Sequence, residues 1–366
     1  MRIILTGGGT GGHFFPVLAV ARELKNIVQN NLFEIPPGEG SSLELLFLGP
    51  ETVGEELLAQ EGIRHKKILA GKIRRYASLK NIFDILKFPY GLIQSLWHLF
   101  WFMPNAVFSK GGFGSAPVVL AAWLYRLPIL VHESDSVPGL ANRFGAKFSK
   151  RVAISFSSAA SFFPSSKTAL TGNPVRQELL GGTKEDAKSA FPGFTGSKPV
   201  ILVLGGSQGA QAINQIVFDS LPKLLSRCEM IHQCGQENFE EFKSLFNQGL
   251  PAGYFLTPFL DEKQLRAAFG AADIVISRAG ATSIAEISVL KKPSILIPLP
   301  SAAADHQNKN AGEYASTGAA VVINQINLIP NIFTDQIFNL FDSPETMKKM
   351  SDASGAFNPP DAARKI

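Results

Sequence analysis

Cysteine is nearly missing from this chain of 366 residues: Cys228 and Cys234 are the only two. Two thiols cannot form a disulfide framework and are not spaced as a metal site, so a reducing compartment is the expectation. Charge is sparse as well. Asp, Glu, Lys and Arg make up 18% of the chain and hydrophobic residues 45%, which excludes a charge-solvated disordered segment. The net charge of +5 favours anionic ligands or surfaces without specifying nucleic acid. With no aromatic-and-basic RNA motif and no zinc-finger spacing, nucleic acid is not an expected partner. Long apolar runs are lacking too. The greasiest stretch, Ile82–Met103, is interrupted by Asp84, Lys87, Pro89, Gln94 and His98, whereas a membrane-spanning helix needs roughly 20 almost wholly apolar residues. The chain opens on a strand, Arg2–Thr6, with no charged region or cleavage site of a signal peptide, so a cytoplasmic protein able to touch a membrane is expected.

What is present is alternation. Short β-branched or leucine-rich runs at Arg2–Thr6, Leu43–Leu48, Ala106–Ser109, Ile129–His132, Val152–Ser155 and Ala169–Leu170 read as buried strands. Val17–Asn26 and Ala116–Tyr125 read as crossover helices between them. The pattern predicts an α/β fold with a doubly wound parallel sheet. Gly181–Lys198, rich in Gly, Ser, Lys and Pro, reads as a linker. A second series follows at Val200–Leu204, Met230–Gln233, Tyr254–Leu256, Ile274–Ser277, Ser294–Ile297 and Ala320–Ile323. The expected layout is an N-terminal domain at 1–180, a C-terminal domain at 199–342 and a helical tail at 343–366 that returns to the first domain. Two Rossmann-like domains would bind ligands beyond the carboxyl ends of their strands, in a cleft.

Each half opens with a strand running into glycines: Gly7-Gly8-Gly9-Thr10-Gly11-Gly12 in the first, Gly205-Gly206-Ser207-Gln208-Gly209 in the second. Such turns let a backbone approach a ligand closely and present helix N–H groups to phosphate. Gly7, Gly9 and Gly12 also satisfy the dinucleotide fingerprint, whose acidic partner could only be Glu51, so a nicotinamide-dependent oxidoreductase stays open at this point. The Gly-Lys-Ser/Thr of a triphosphate P-loop is absent. Further polar clusters stand at Lys110–Pro117, His132–Gly139, Thr171–Arg176, Ser277–Glu286 and Asp305–Asn310.

Together, Gly-Gly-Thr-Gly-Gly-His at the start, Gly-Gly-Ser-Gln-Gly-Ala in the second half, and Arg278-x-Gly280-Ala281-Thr282 followed by Glu286 resemble the MurG family of peptidoglycan glycosyltransferases. Those enzymes add N-acetylglucosamine to undecaprenyl-diphosphoryl-N-acetylmuramoyl-pentapeptide. The match runs from the first strand to about Asn324. The resemblance implies a GT-B fold, inversion at the anomeric carbon, UDP-GlcNAc as donor, a lipid-linked acceptor and no cofactor. It also implies no resident metal, and the chain has no Asp-x-Asp pair to hold one against a diphosphate. On the donor side it implies Ser207 and Arg176 at the diphosphate, Ala281, Thr282, Ser283, Ile284 and Ala285 along phosphate and ribose, and Glu286 accepting from the ribose hydroxyls. Leu260 would flank uracil, and Gln307 with Asn308 would read the sugar. Thr10, Gly11 and Gly12 would lie where donor sugar and acceptor diphosphate meet.

His13 would be the general base, its ordinary pKa suiting proton transfer and its helix-start position keeping it neutral. The plainer alternative is a helix-terminal residue bonded to its own loop. Glu133 and Asn142 are acceptor-side candidates or, equally, caps and loop stabilisers. Asp135, which the resemblance implies at the N-acetylglucosamine of the donor, departs from the family's usual asparagine. It can accept from sugar hydroxyls but cannot donate, and it is a competing candidate for the base. Asn308 departs from a glutamine. From Lys72 to Met103, the bases Lys72, Arg74, Arg75, Lys80 and Lys87 flank Ile82, Phe83, Trp97, Phe100 and Trp101. That mixture predicts docking on an anionic membrane surface, at the cytoplasmic face, by residues shared between core and surface. A UDP-sugar-binding or epimerising protein of the same fold remains the other alternative.

Overall fold

The computed structural model describes residues 1–30, 43–50, 54–71, 79–205, 210–246 and 249–366, without the side chains of 79–86. Ser207, Glu51, Lys72, Arg74 and Arg75 therefore lie outside the described residues, as do the side chains of Lys80, Ile82 and Phe83. The chain divides into two units, Met1–Val175 with Pro360–Ile366, and Arg176–Pro359.

The first unit runs β1 (Arg2–Thr6), α1 (Gly11–Gln29), β2 (Glu44–Gly49), α2 (Glu55–Gln60), β3 (Arg64–Lys67), α3 (Leu79–Phe102), β4 (Ala106–Ser109), α4 (Ser115–Leu124), β5 (Ile129–Glu133), α5 (Leu140–Phe148), β6 (Arg151–Ile154) and β7 (Thr168–Leu170). Its sheet is ordered β3-β2-β1-β4-β5-β6-β7, and every pairing is parallel. One face packs Leu5, Phe14, Val17 and Leu18 with Phe47; the other packs Ile4, Leu48 and Val107 with Leu99, Val118 and Val119. Burial on both faces is why the inner strands read as continuous apolar runs. β3, with the sequence Arg-His-Lys-Lys, carries no such run and escapes sequence reading. It is an edge strand paired only with β2, where charge discourages further pairing.

The second unit runs α6 (Lys184–Ala190), β8 (Val200–Leu204), α7 (Gln211–Leu225), β9 (Glu229–Gln233), α8 (Gln236–Ser244), β10 (Tyr254–Thr257), α9 (Glu262–Ala271), β11 (Ile274–Ser277), α10 (Ala281–Val289), β12 (Ser294–Leu296), α11 (His306–Ser316), β13 (Ala320–Val322), α12 (Pro330–Phe341) and α13 (Pro344–Phe357). Its parallel sheet, β10-β9-β8-β11-β12-β13, repeats the order of the first sheet's leading six strands. Both reverse direction beside the strand that precedes the first glycine turn, which is the crevice-forming point of doubly wound sheets.

Two boundaries differ from the sequence expectation. The last 24 residues are not one tail. α13 stays in the second unit, where Ser354 O accepts from Ser288 Oγ at 2.6 Å and Ser354 Oγ meets Tyr314 Oη at 2.7 Å. Only Pro360–Ile366, with the short α14 (Ala362–Lys365), joins the first unit, against α1. The stretch read as a linker contains α6, which packs along α9. Its N-terminus is closed by a reciprocal box: Thr183 Oγ1 accepts from Asp186 N at 3.1 Å, and Asp186 Oδ2 accepts from Thr183 N at 2.9 Å. A polar composition hid a short helix whose first turn is satisfied by its own side chains.

No helix of the described residues is long and apolar enough to cross a membrane. α3 is two-faced instead. Gly91, Ser95, Leu99 and Phe102 are buried, while Ile93, Trp97, Phe100 and Trp101 are 64, 61, 59 and 63% exposed. The spacing follows the helical repeat.

Thr183→Ala removes one half of the α6 box and is expected to cost about 1 kcal/mol. The urea unfolding midpoint of the second unit should fall accordingly. An unchanged midpoint would mean that the Thr183 cap does not hold this segment in place.

Candidate functional site

In the first unit, parallel strands deliver three chain segments to one edge of the sheet. β1 ends at Thr6 and leads through Gly7–Gly9 into α1, whose first turn is Gly11, Gly12 and His13. Neither an acidic side chain nor a side-chain cap occupies that turn, so no local carboxylate offsets the partial positive charge of the helix start. Thr10, the N-cap residue, places Oγ1 2.9 Å from His13 Nδ1.

The imidazole fits because its neighbours lack side chains. Gly112 has φ +79°, and a Cβ there would stand 2.7 Å from Gly8 Cα and 3.4 Å from His13 Cδ2. Gly111 has φ +82°, and a Cβ there would collide with the Asn142 amide. Both positions demand glycine on conformation and on space. The pKa of His13 is lowered to about 4, first by burial and then by the Lys110 ammonium, while the Asp135 carboxylate pulls it upward. The sequence reading ascribed the neutral form to the helix start. Burial and Lys110 are the causes visible here, and together they leave a neutral ring at ordinary pH.

Glu133 and Asn142 are buried, and their polar atoms are directed inward. Glu133 Oε1 accepts from Asp135 N at 2.9 Å. Its Oε2 accepts from Gly139 N at 3.0 Å and from Asn142 Nδ2 at 2.9 Å. Asn142 Nδ2 also donates to His132 O at 3.1 Å. The two residues hold the His132–Gly139 loop in shape, and burial with Asp135 nearby raises the Glu133 pKa against the lowering effect of Lys110. Asp135 itself is half-buried at the loop's turn. Lys110 was quoted in the sequence only as part of a glycine loop. It proves to be fully buried, its Nζ without a hydrogen-bond partner among the described residues and its pKa lowered to about 8 by burial. The signal available in the sequence was a lysine closing the apolar run Val107-Phe108.

The second unit repeats the plan after β11. Gly280 caps α10 without a side-chain bond, and no acid lies in the first turn. Ala281, Ile284, Ala285 and Glu286 are buried, Thr282 and Ser283 half-buried. Glu286 Oε1 accepts from Arg176 Nη2 at 2.8 Å, and Arg176 Nη1 stands 3.7 Å from Glu262 Oε1. The guanidinium is thus engaged with two carboxylates of its own unit. Gln307, half-buried at the start of α11, accepts at Oε1 from Leu299 N at 2.9 Å, and Asn308 Nδ2 donates to Asp305 Oδ1 at 2.6 Å. The turn before them holds Ala304 and Asp305 in left-handed conformations, φ +55° and +58°, a strain that non-glycine residues rarely carry.

The Leu260 side chain is buried and its amide donates to Gln233 Oε1 at 3.2 Å, while the neighbouring Phe259 is exposed. Gln233 and Arg278, whose Nη1 donates to Ile297 O and Pro298 O, were given no role from sequence, although both brace these turns.

The chain matches the N-terminal domain model of glycosyltransferase family 28 over residues 3–154 and the C-terminal domain model over residues 200–366. The UDP-N-acetylglucosamine–N-acetylmuramyl-(pentapeptide) pyrophosphoryl-undecaprenol N-acetylglucosamine transferase of Clostridium kluyveri is 36% identical over 367 residues, covering 100% of this chain and 97% of the relative. The enzyme of that name from Lachnospira eligens is 39% identical over 326 residues, 88% of this chain and 86% of its own. The crystal structure of MurG from Acinetobacter baumannii superposes with a TM-score of 0.72 at 26% identity, covering 100% of this chain and 97% of the other. A UDP-GlcNAc 2-epimerase from Neisseria meningitidis, at 0.69 and 15% identity, shares the fold. The two-sheet architecture is GT-B, and the chain belongs to the MurG family of UDP-N-acetylglucosamine–N-acetylmuramyl-(pentapeptide) pyrophosphoryl-undecaprenol N-acetylglucosamine transferases.

Proposed function

We propose that this chain transfers N-acetylglucosamine from UDP-GlcNAc to the C4 hydroxyl of the muramoyl sugar of undecaprenyl-diphospho-MurNAc-pentapeptide, converting lipid I to lipid II. Near-full-length identity to enzymes bearing that transferase name carries the reading. In the reaction, the acceptor oxygen attacks the anomeric carbon from the face opposite the diphosphate. The bond from that carbon to the phosphate oxygen breaks, UDP leaves, and the configuration inverts. His13 takes the hydroxyl proton; its neutral imidazole on the first turn of α1 supports that role. The ring nitrogen away from Thr10, Nε2, is the acceptor in this scheme. The uncapped first turn of α10, with Thr282 and Ser283, receives the developing diphosphate charge, as helix N-termini do for anions. Glu286, which can accept two hydrogen bonds at once, takes the ribose hydroxyls. Ser207 belongs to the donor side by family resemblance.

The docking surface is the outward face of α3, Ile93, Trp97, Phe100, Trp101 and Met103, continued by Trp123 and Leu124 at the end of α4. Tyr125 Oη donates to Leu96 O at 3.3 Å and ties the two helices together there. So much apolar surface in one place suits insertion at the headgroup level of a membrane's cytoplasmic face. Lys87 on α3 and the bases at 72–75 add attraction to anionic lipid.

Incubated with UDP-GlcNAc, the protein should release UDP only when a lipid-linked muramoyl acceptor is supplied. Release of UDP, or epimerised sugar, without acceptor would favour the epimerase-like alternative. Glu286→Ala should weaken UDP-GlcNAc binding by about 1–3 kcal/mol, the range for stranding hydrogen-bonding groups at a site. Calorimetric titration reads this directly, and an unaltered Kd would remove Glu286 from the donor site. Replacing Trp97, Phe100 and Trp101 together with Ser should lower binding to anionic vesicles at least ten-fold, since burying such side chains contributes on the order of 25 cal/mol per Å². UDP-GlcNAc affinity should be kept, and equal sedimentation of both proteins with vesicles would rule the α3 face out as the docking surface.

A further inference from the structure

Lys110 has no part in the chemistry described so far, yet it is placed as few lysines are. Its side chain is 1% exposed and its Nζ meets no hydrogen-bond acceptor among the described residues. An ammonium withdrawn from water without a partner is strongly disfavoured, and the surrounding core of β4 gives no packing reason for one. The backbone fixes it at the edge where the strands end: Lys110 N donates to Thr6 O at 2.8 Å, and its Cβ lies 3.5 Å from where a Cβ on Gly7 would stand. Three of the segments beside it carry titratable groups. His13 comes from α1, His132 and Glu133 from the end of β5, and Asp135 from the loop after it.

We propose that Lys110 is a positioning residue of the transfer reaction, its buried ammonium adding to the effect of burial in keeping the His13 imidazole unprotonated and so able to accept the hydroxyl proton. The inference rests on the reading of His13 as the base. Lys110 titrates near 8, so it stays charged throughout the interval from about 4 to the ordinary 6.5 in which the imidazole would otherwise gain its proton. Without the cation, the Asp135 carboxylate still favours the imidazolium and nothing charged opposes it. The pKa of His13 then rises.

The experiment follows the His13 imidazole by NMR in the full chain, with His13→Gln for assignment, beside the pH profile of transfer to the lipid-linked acceptor. In the wild type, His13 should titrate well below 6.5. In Lys110→Met, both the titration and the acidic limb of kcat should move up by about one pH unit, the size of effect a close charge has on its neighbour. Lys110→Arg, which keeps the charge, should hold both near the wild-type values and checks that the site tolerates substitution. A wild-type His13 titrating near 6.5, or a Lys110→Met limb that stays in place, overturns the proposal. If the NMR midpoint moves but His13→Ala still transfers at the full rate, the assignment of the base has failed, and the role of Lys110 in transfer falls with it.

Discussion

Every strand in either sheet runs parallel to its neighbours, and the chain must therefore leave all of them at the same edge. This brings residues as far apart in sequence as Thr6, Lys110 and Glu133 to one place in the first unit, with no contact needed to recruit them. Gly205, Gln233 and Ser277 gather in the same way in the second. The crossover helices begin at that edge, and two of them, α1 and α10, start there without a side-chain cap. Glycines are required where two such turns press together, as Gly112 does on Gly8. The chemistry of both units follows from this gathering.

How far the sequence reveals the fold depends on which term dominates locally. Inner strands such as Val200–Leu204 are buried on both faces and announce themselves as apolar runs. β3 is held at an edge by its ladder with β2 and by polar and charged contacts such as Lys67 Nζ to Glu55 Oε1 at 2.9 Å, and it has no apolar signature to read. α6 was missed for a related reason: seven residues cannot show a hydrophobic period, and its evidence lay in the Thr183–Asp186 box. In α3 the composition was legible but the division was not. Trp97 and Leu99 are equally apolar as letters, and only the helical repeat over a fixed core sends one outward and the other in.

At the site, what could be read was whatever is local. Glycine turns, Thr10 before His13, and Glu286 one turn and more into its helix are fixed by neighbours in sequence. Pairings that span the fold were beyond reach. Arg176 and Glu286 stand 110 positions apart and meet only because the second unit folds them together. The same holds for Gln233, which takes the amide of Leu260 and leaves Phe259 as the exposed apolar group. For Glu133 the sequence leaves an acceptor-side contact and a loop-stabilising role equally open; in the fold its two oxygens accept three hydrogen bonds from its own loop and its neighbour Asn142.

The two units use buried charge in contrasting ways. In the second, Arg176 and Glu286 are withdrawn from water as a pair, so each charge compensates the other. The pairing holds the Glu286 carboxylate in one orientation. In the first unit the charges are not matched at short range. Lys110 is buried without a hydrogen-bonding partner among the described residues, burial lowers its pKa to about 8, and that of His13 falls to about 4. Groups held in that condition exchange protons at modest cost and respond strongly to a new charge among them. In the proposed reaction, a diphosphate arriving at the first turn of α1 would be such a charge, and would favour an imidazolium at His13. On that reading the first unit is suited to moving a proton, and the second to holding a ligand still.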